Sequence, residues 1–168
     1  MKILFVSAIM VLADQISKTV VRNTMFCGQS IPVIPEFFHL TYVTNEGMAF
    51  GIDFPDHAFG INFPDHLGFY VFSAISIIFT GFLFWYLWSI KDDEIMVRTG
   101  VALILAGAIG NLIDRIFLGE VVDFLDFMIG DFHWYVFNLA DSCVTVGLGF
   151  VLYDSLILNR KKVSQIEQ

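Results

Sequence analysis

The apolar positions of the chain gather into four long stretches, and the polar positions collect in the connections between them. Residues 67–90, LGFYVFSAISIIFTGFLFWYLWSI, run for 24 residues without a charge, and roughly 20 apolar residues are enough for a helix to cross the hydrocarbon core of a bilayer. This stretch predicts a transmembrane helix outright. Three others predict spans over about 3–21, 97–117 and 134–158, although each contains polar or charged residues. The first has a second reading, because Lys2, an apolar run and Ala13 resemble a secretory signal peptide and its cleavage site. Apolar residues continue through Ile16 to Val21, which favours a span.

The connections carry a different pattern. FFHLTYVTN, residues 37–45, is rich in aromatic and β-branched residues and predicts strand within the long segment 22–66. A near-repeat follows, GIDFPDH at 51–57 and GINFPDH at 60–66. Two copies are too few for a solenoid. Its Asp53, Asp56, His57, Asp65 and His66 are of metal-ligating types, but Pro-Asp turns with Phe at a membrane surface account for the composition, and no metal or other cofactor is expected. In VVDFLDFM, residues 121–128, two carboxylates stand three positions apart. An extended backbone points them to opposite sides, whereas a helix puts them on one.

Composition agrees with the span reading. The chain of 168 residues is 57% hydrophobic and 15% charged, with 19 Phe, well above the apolar share of soluble domains. The expected fold is membrane α-helical, a single domain of four transmembrane helices with a small extracytoplasmic β-structured region in segments 22–66 and 116–133. Lys and Arg set the orientation. Lys2, Lys91, Arg98, Arg160, Lys161 and Lys162 flank one side of the spans, while segment 22–66 has only Arg22 and 116–133 has no basic residue. Both termini are therefore expected in the cytoplasm and the long acidic connections outside. A net charge of −8 argues against nucleic acid as a partner. Cys27 lies just outside span one and Cys143 within span four; nothing in their spacing supports a disulfide, and Cys143 reads as a small core residue.

With this orientation, the polar residues inside the spans fall at one level. Asp14, Gln15 and Lys18 lie in the outer half of span one, Asn111, Asp114 and Arg115 at the outer end of span three, and Asn138 and Asp141 in the first turns of span four. A charge at the bilayer centre costs about 2.5–3.5 kcal/mol on insertion scales, so such residues mark function by default. Asp14 and Lys18 are spaced i,i+4, and Asn111/Asp114 and Asn138/Asp141 i,i+3, so each pair shares a helix face. Asp14 with Lys18, and Asp114 with Arg115 or another partner, read as ion pairs holding the bundle together. Asp123 and Asp141 have no basic residue near them in sequence, the arrangement of two carboxylates sharing a proton. Ala102, Ala106 and Gly110 form the small-xxx-small pattern of close helix packing. The histidines all fall in outer segments, H-E-x-x-H is absent, and there is no Gly-rich phosphate loop. A small transporter or proton relay is the rival reading, since buried aspartates also mark ion paths; a structural assembly subunit would leave Asp141 unexplained.

DQISK at 14–18, NEGMAFG at 45–51, GAIGNLIDR at 107–115, VVDF at 121–124 and FNLADS at 137–142 together resemble bacterial lipoprotein signal peptidase, also called signal peptidase II. The resemblance implies an aspartic endopeptidase of the inner membrane that cuts diacylglyceryl-modified prolipoproteins before the lipid-bearing cysteine, working as a monomer among membrane lipids. It maps the catalytic residues onto Asp123 and Asp141, and the supporting positions onto Asp14, Lys18, Asn45, Gly47, Asn111, Asp114, Arg115 and Asn138. Asp126 matches no family position and is expected to be a solvated interfacial charge. The stretch GIDFPDHAFGINFPDH is longer than the family's usual connection before the second span.

Overall fold

The structure, a computed structural model, describes residues 2–45, 57–58, 61–62, 67–130 and 132–158. Helices α1 (Lys2–Thr24), α2 (Leu67–Ser89), α3 (Ile95–Leu118) and α4 (Leu139–Tyr153, extended by a π-helical turn at Asp154–Leu158) account for the four apolar stretches. Each contains a segment long and apolar enough to cross a membrane. Their outward sides keep large apolar residues exposed, among them Phe5, Ile78, Trp88 and Phe117, as expected where lipid rather than water is the solvent.

Helix α3 is the centre of the bundle, packed against α1, α2 and α4. With α2 it forms an apolar cluster of Leu83, Leu87 and Ile90 against Val101, Ala102 and Leu105. Lipid tails are as apolar as these side chains, so close contact rather than water exclusion must hold the helices together. The small residues supply that contact. A Cβ added at Gly107 would stand 2.3 Å from the Ala140 carbonyl oxygen, and one at Gly110 would stand 2.7 Å from an Asp14 carboxylate oxygen. Gly110 of the expected stripe thus lies where α3 meets both α1 and α4, and Gly107, outside the stripe, meets α4. Between α1 and α3, the Ser7 hydroxyl donates to the Ala102 carbonyl at 2.8 Å.

Strands β1 (Ser30–Ile34) and β2 (Phe38–Asn45) follow α1, the short β3 (His57–Ala58) and β4 (Ile61–Asn62) pair with each other, and β5 (Val121–Ile129) and β6 (Phe132–His133) connect α3 to α4. The main sheet is antiparallel in the order β1-β2-β5-β6. VVDFLDFM is therefore extended. Gly119 makes the change from helix to strand: its φ of 83° closes α3 with an N–H bond to the Arg115 carbonyl, a left-handed cap that glycine adopts without strain. Val21 and Met25, at the C-terminal end of α1, pack on Val122 and Phe124 and seat the sheet on the bundle.

The fourth span starts later than residue 134, where the apolar run begins. Helix α4 starts at Leu139, and Trp134–Asn138 instead runs along β5. Phe137 exchanges backbone bonds with Leu125 at 3.0 and 2.7 Å, and the Trp134 N–H donates to the Phe127 carbonyl at 2.8 Å. Apolar character alone does not separate strand from helix; the open edge of β5 claims this aromatic stretch. The helices also run past the expected boundaries at Val21 and Phe117, to Thr24 and Leu118.

Candidate active site

Each functional side chain is placed by where its element begins or ends. Asn138, in extended conformation, is the N-cap of α4: its side-chain oxygen accepts from the Asp141 N–H at 3.0 Å, and the Asp141 carboxylate accepts from the Asn138 N–H at 3.2 Å. This reciprocal capping box orders the first turn of the helix. The other Asp141 oxygen accepts from the Asn111 amide of α3 at 2.8 Å.

From the same cap, the Asn138 amide nitrogen lies 2.6 Å from an Asp123 carboxylate oxygen, 3.2 Å from the Val122 carbonyl and 3.1 Å from the Asn111 side-chain oxygen. Asn138 is wholly buried, so it joins the two aspartates through one rigid side chain. Asp123 is itself buried on β5. Burial, first, and the charge of Asp141, second, push its carboxyl up from 3.8 to about 7, against the pull of Asn138, Lys18 and Asn45.

Beneath the pair lies an ion cluster centred on Lys18, only 2% exposed. Its ammonium stands 3.0 Å from Asp14, 2.8 Å from Asp114 and 2.9 Å from the Asn111 side-chain oxygen, so its three donors have three acceptors. Asp14 and Asp114 do more than neutralise it. The second oxygen of Asp14 accepts the Ala140 N–H at 2.9 Å, and Asp114 accepts the Val122 N–H at 3.2 Å. Ala140 precedes Asp141 and Val122 precedes Asp123, so each supporting carboxylate grips the backbone immediately before one member of the pair. Arg115 lies within electrostatic reach of Asp114, Asp123 and Asp141 and donates weakly to the Asn111 carbonyl at 3.4 Å.

Asp14, Lys18, Asn111, Asp114, Arg115, Asn138, Asp123 and Asp141 share one polar layer, and Asn45 reaches it by hydrogen bonding to Asp123. The partner of Asp114 is Lys18 rather than its neighbour Arg115. Gly47 and most of the 51–66 near-repeat lie outside the described residues. Cys143 is buried and Cys27 exposed, both as free thiols. Gln15 of DQISK has no sequence signal for its role: its amide bridges Asp14, Asp114 and the Gly110 carbonyl at 3.2, 2.9 and 3.1 Å. The expectation for Asp126 was wrong. It is 6% exposed and accepts from the Thr41 hydroxyl at 2.7 Å, on the face of β5 that carries Val122 and Phe124 and packs on Val21 and Met25.

The family model described as signal peptidase (SPase) II matches residues 6–157. A lipoprotein signal peptidase of Syntrophus aciditrophicus is 36% identical over 159 residues, covering 95% of this chain and 94% of that protein. The lipoprotein signal peptidase of Halothermothrix orenii is 42% identical over 144 residues, covering 86% and 88%. A solved bacterial membrane enzyme superposes with a TM-score of 0.75 at 33% identity, covering 93% of both chains. The chain is a multi-pass membrane protein and belongs to the signal peptidase II family.

Proposed function

We propose that this protein is an aspartic endopeptidase that removes the signal peptide from diacylglyceryl-modified prolipoproteins, cutting before the lipid-bearing cysteine, with Asp123 and Asp141 as the catalytic pair. One observation carries the assignment of the pair: Asp14 and Asp114, bound to a common lysine, each hold the backbone N–H of the residue preceding one of these two aspartates.

The roles follow from the two environments. Asp123 is buried and retains its proton to about pH 7, which suits it to hydrogen-bond and protonate the scissile carbonyl. Asp141 lies at the positive end of α4 and takes the proton from the attacking water, giving a tetrahedral intermediate with no covalent enzyme adduct. Arg115 opposes the negative charge that accumulates around the pair. The mechanism requires no metal. Lateral entry from the bilayer would bring the substrate's acyl chains along the exposed apolar helix surfaces.

The basic residues at the helix ends favour an inner-membrane protein with both termini in the cytoplasm and the catalytic layer near the outer face, acting as a monomer. The test is incubation of purified protein with a lipid-modified prolipoprotein, following the mass loss of the signal peptide. Asp123→Asn and Asp141→Asn are each expected to abolish cleavage while remaining folded in the membrane; near-normal turnover by either rules out the pair.

A further inference from the structure

Two registers meet where β2 crosses β5. Phe38, His39 and Leu40 pair with Phe127, Asp126 and Leu125, whereas Val43, Thr44 and Asn45 pair with Asp123, Val122 and Val121. Thr41 and Tyr42 together face Phe124, a bulge of two residues against one. Directly opposed residues in an antiparallel pair project to the same face, so the bulge decides which β2 side chains accompany Asp123. Continued without it, the first register would set Tyr42 opposite Asp123 and turn Asn45 to the other side of the sheet. With it, Val43 lies opposite Asp123, and Asn45 falls on the same face, where it hydrogen-bonds to the Asp123 carboxylate.

The bulge is latched on the opposite face. The Thr41 hydroxyl donates to buried Asp126 at 2.7 Å. Ser30 of β1 extends the chain, its hydroxyl 2.8 Å from that of Thr41 and 3.3 Å from Nδ1 of His39. Three strands are thereby tied together at the point where the β2–β5 register changes.

We infer that Thr41 and Asp126 are positioning residues for the catalytic pair: their hydrogen bond holds the bulge that turns Asn45 toward Asp123. This rests on the reading of Asp123 as a catalytic acid, whose activity is lost as pH rises through its titration. The charged groups facing Asp123 are Asp141 from α4, Lys18 from α1 and Arg115 from α3, and none of them touches Thr41. Releasing Asn45 removes a bond that favours the Asp123 carboxylate, so the alkaline limb of the rate profile moves up. One hydrogen bond of ordinary net strength corresponds to a displacement of about 0.7 pH unit.

The experiment measures kcat against pH for Thr41→Val, Thr41→Ser, Asp126→Ala, Asp126→Asn and Asn45→Ala, each with its melting temperature. Thr41→Val and Asp126→Ala are expected to move the alkaline limb upward as Asn45→Ala does. Thr41→Ser keeps the hydroxyl and Asp126→Asn an accepting oxygen, so both should stay at the wild-type position. Thr41→Val is nearly isosteric and carries the test if Asp126→Ala does not fold. A Thr41→Val limb at the wild-type position, whatever its rate, overturns the inference. Near-normal turnover by Asp123→Asn instead overturns the catalytic pair, so the two failures are distinguishable.

Discussion

Replacing Lys18 by Met keeps the length of the side chain and removes the one positive charge in contact with two buried carboxylates. Asp14 and Asp114 are each 2% exposed or less and stand 3.0 and 2.8 Å from its ammonium. Breaking a buried ion pair by deleting one partner costs about 3–5 kcal/mol, because the remaining charge is left uncompensated. Two features decide where in that range the change falls. Both carboxylates keep other donors, from Ala140, Val122 and Gln15, and a cavity of about 180 Å³ reaches Lys18 and Asp114 between α1 and α3, where water can solvate what the lysine leaves. Both point to the lower end, about 3 kcal/mol, or a fall in melting temperature of roughly 6–12 °C for a chain of this size. Buried Cys143 provides the assay: a thiol-reactive dye reports unfolding in detergent once exposed Cys27 is changed to Ser. Adding Asp114→Asn should recover part of the loss, because one of the two unpaired charges is then gone. Melting of Lys18→Met within about 1 °C of the parent would refute the idea that this cluster is a net contributor to the fold.

Gly107→Ala places a methyl group against the Ala140 carbonyl; overpacking of this kind costs about 1–3 kcal/mol, and the displaced start of α4 should lower kcat more than it lowers the melting temperature. Asn111→Ala removes the link from Lys18 to Asp141 and should reduce cleavage at least tenfold with little change in substrate KM, measured with a synthetic lipopeptide. Asp123 holds its proton more tightly folded, at about 7, than unfolded, at 3.8, so the folded state binds more protons between those values and loses stability as pH rises through them. The slope is about 1.4 kcal/mol per pH unit, some 4 kcal/mol in all. Asp123→Asn should abolish that slope, and parallel melting curves for the two proteins from pH 4 to 8 would contradict it. Cleavage should persist in excess EDTA, since two carboxylates suffice for the chemistry; loss of activity restored by a divalent ion would refute the metal-free mechanism.

The helices and the polar layer were legible in the sequence because the membrane makes their signals coarse. An apolar run of 24 residues admits one structure, and Asp14, Lys18, Asp114 and Asp141 stand out against the hydrophobic spans that contain them. Helical spacing paired Asp14 with Lys18, a contact within one element. It did not pair Lys18 with Asp114, 96 residues away along the chain, since the packing of α1 on α3 makes that contact. The sheet was legible only in part. FFHLTYVTN announced a strand, but VVDFLDFM has apolar residues on both faces and lacks the alternation that marks a half-buried strand, so nothing in its pattern signals that Asp126 is buried. The bulge had no sequence signal at all, because it belongs to the pairing of two strands and not to either one.

The charge count around the pair explains why one of its carboxyls keeps a proton. Asp14, Asp114, Asp123 and Asp141 share the layer with two cations, Lys18 and Arg115, so fully ionised it would hold two negative charges in excess. A layer shielded by helices and sheet solvates that excess poorly, which disfavours a negative charge on Asp123. Asp14 and Asp114 are in direct contact with the lysine, and Asp141 has the helix terminus and the Asn111 amide. Asp123 has amide donors but no cation in contact among the described residues, and the charge of Asp141 acts against its ionisation. Burial first, and the neighbouring charge of Asp141 second, therefore raise the Asp123 carboxyl, and no cation in contact offsets them. A cation introduced beside Asp123, for instance by Asn45→Lys, should drive off the proton and suppress cleavage near pH 7, with activity recovering as the pH is lowered. An unchanged profile in that variant would show that the proton on Asp123 is not what the reaction uses.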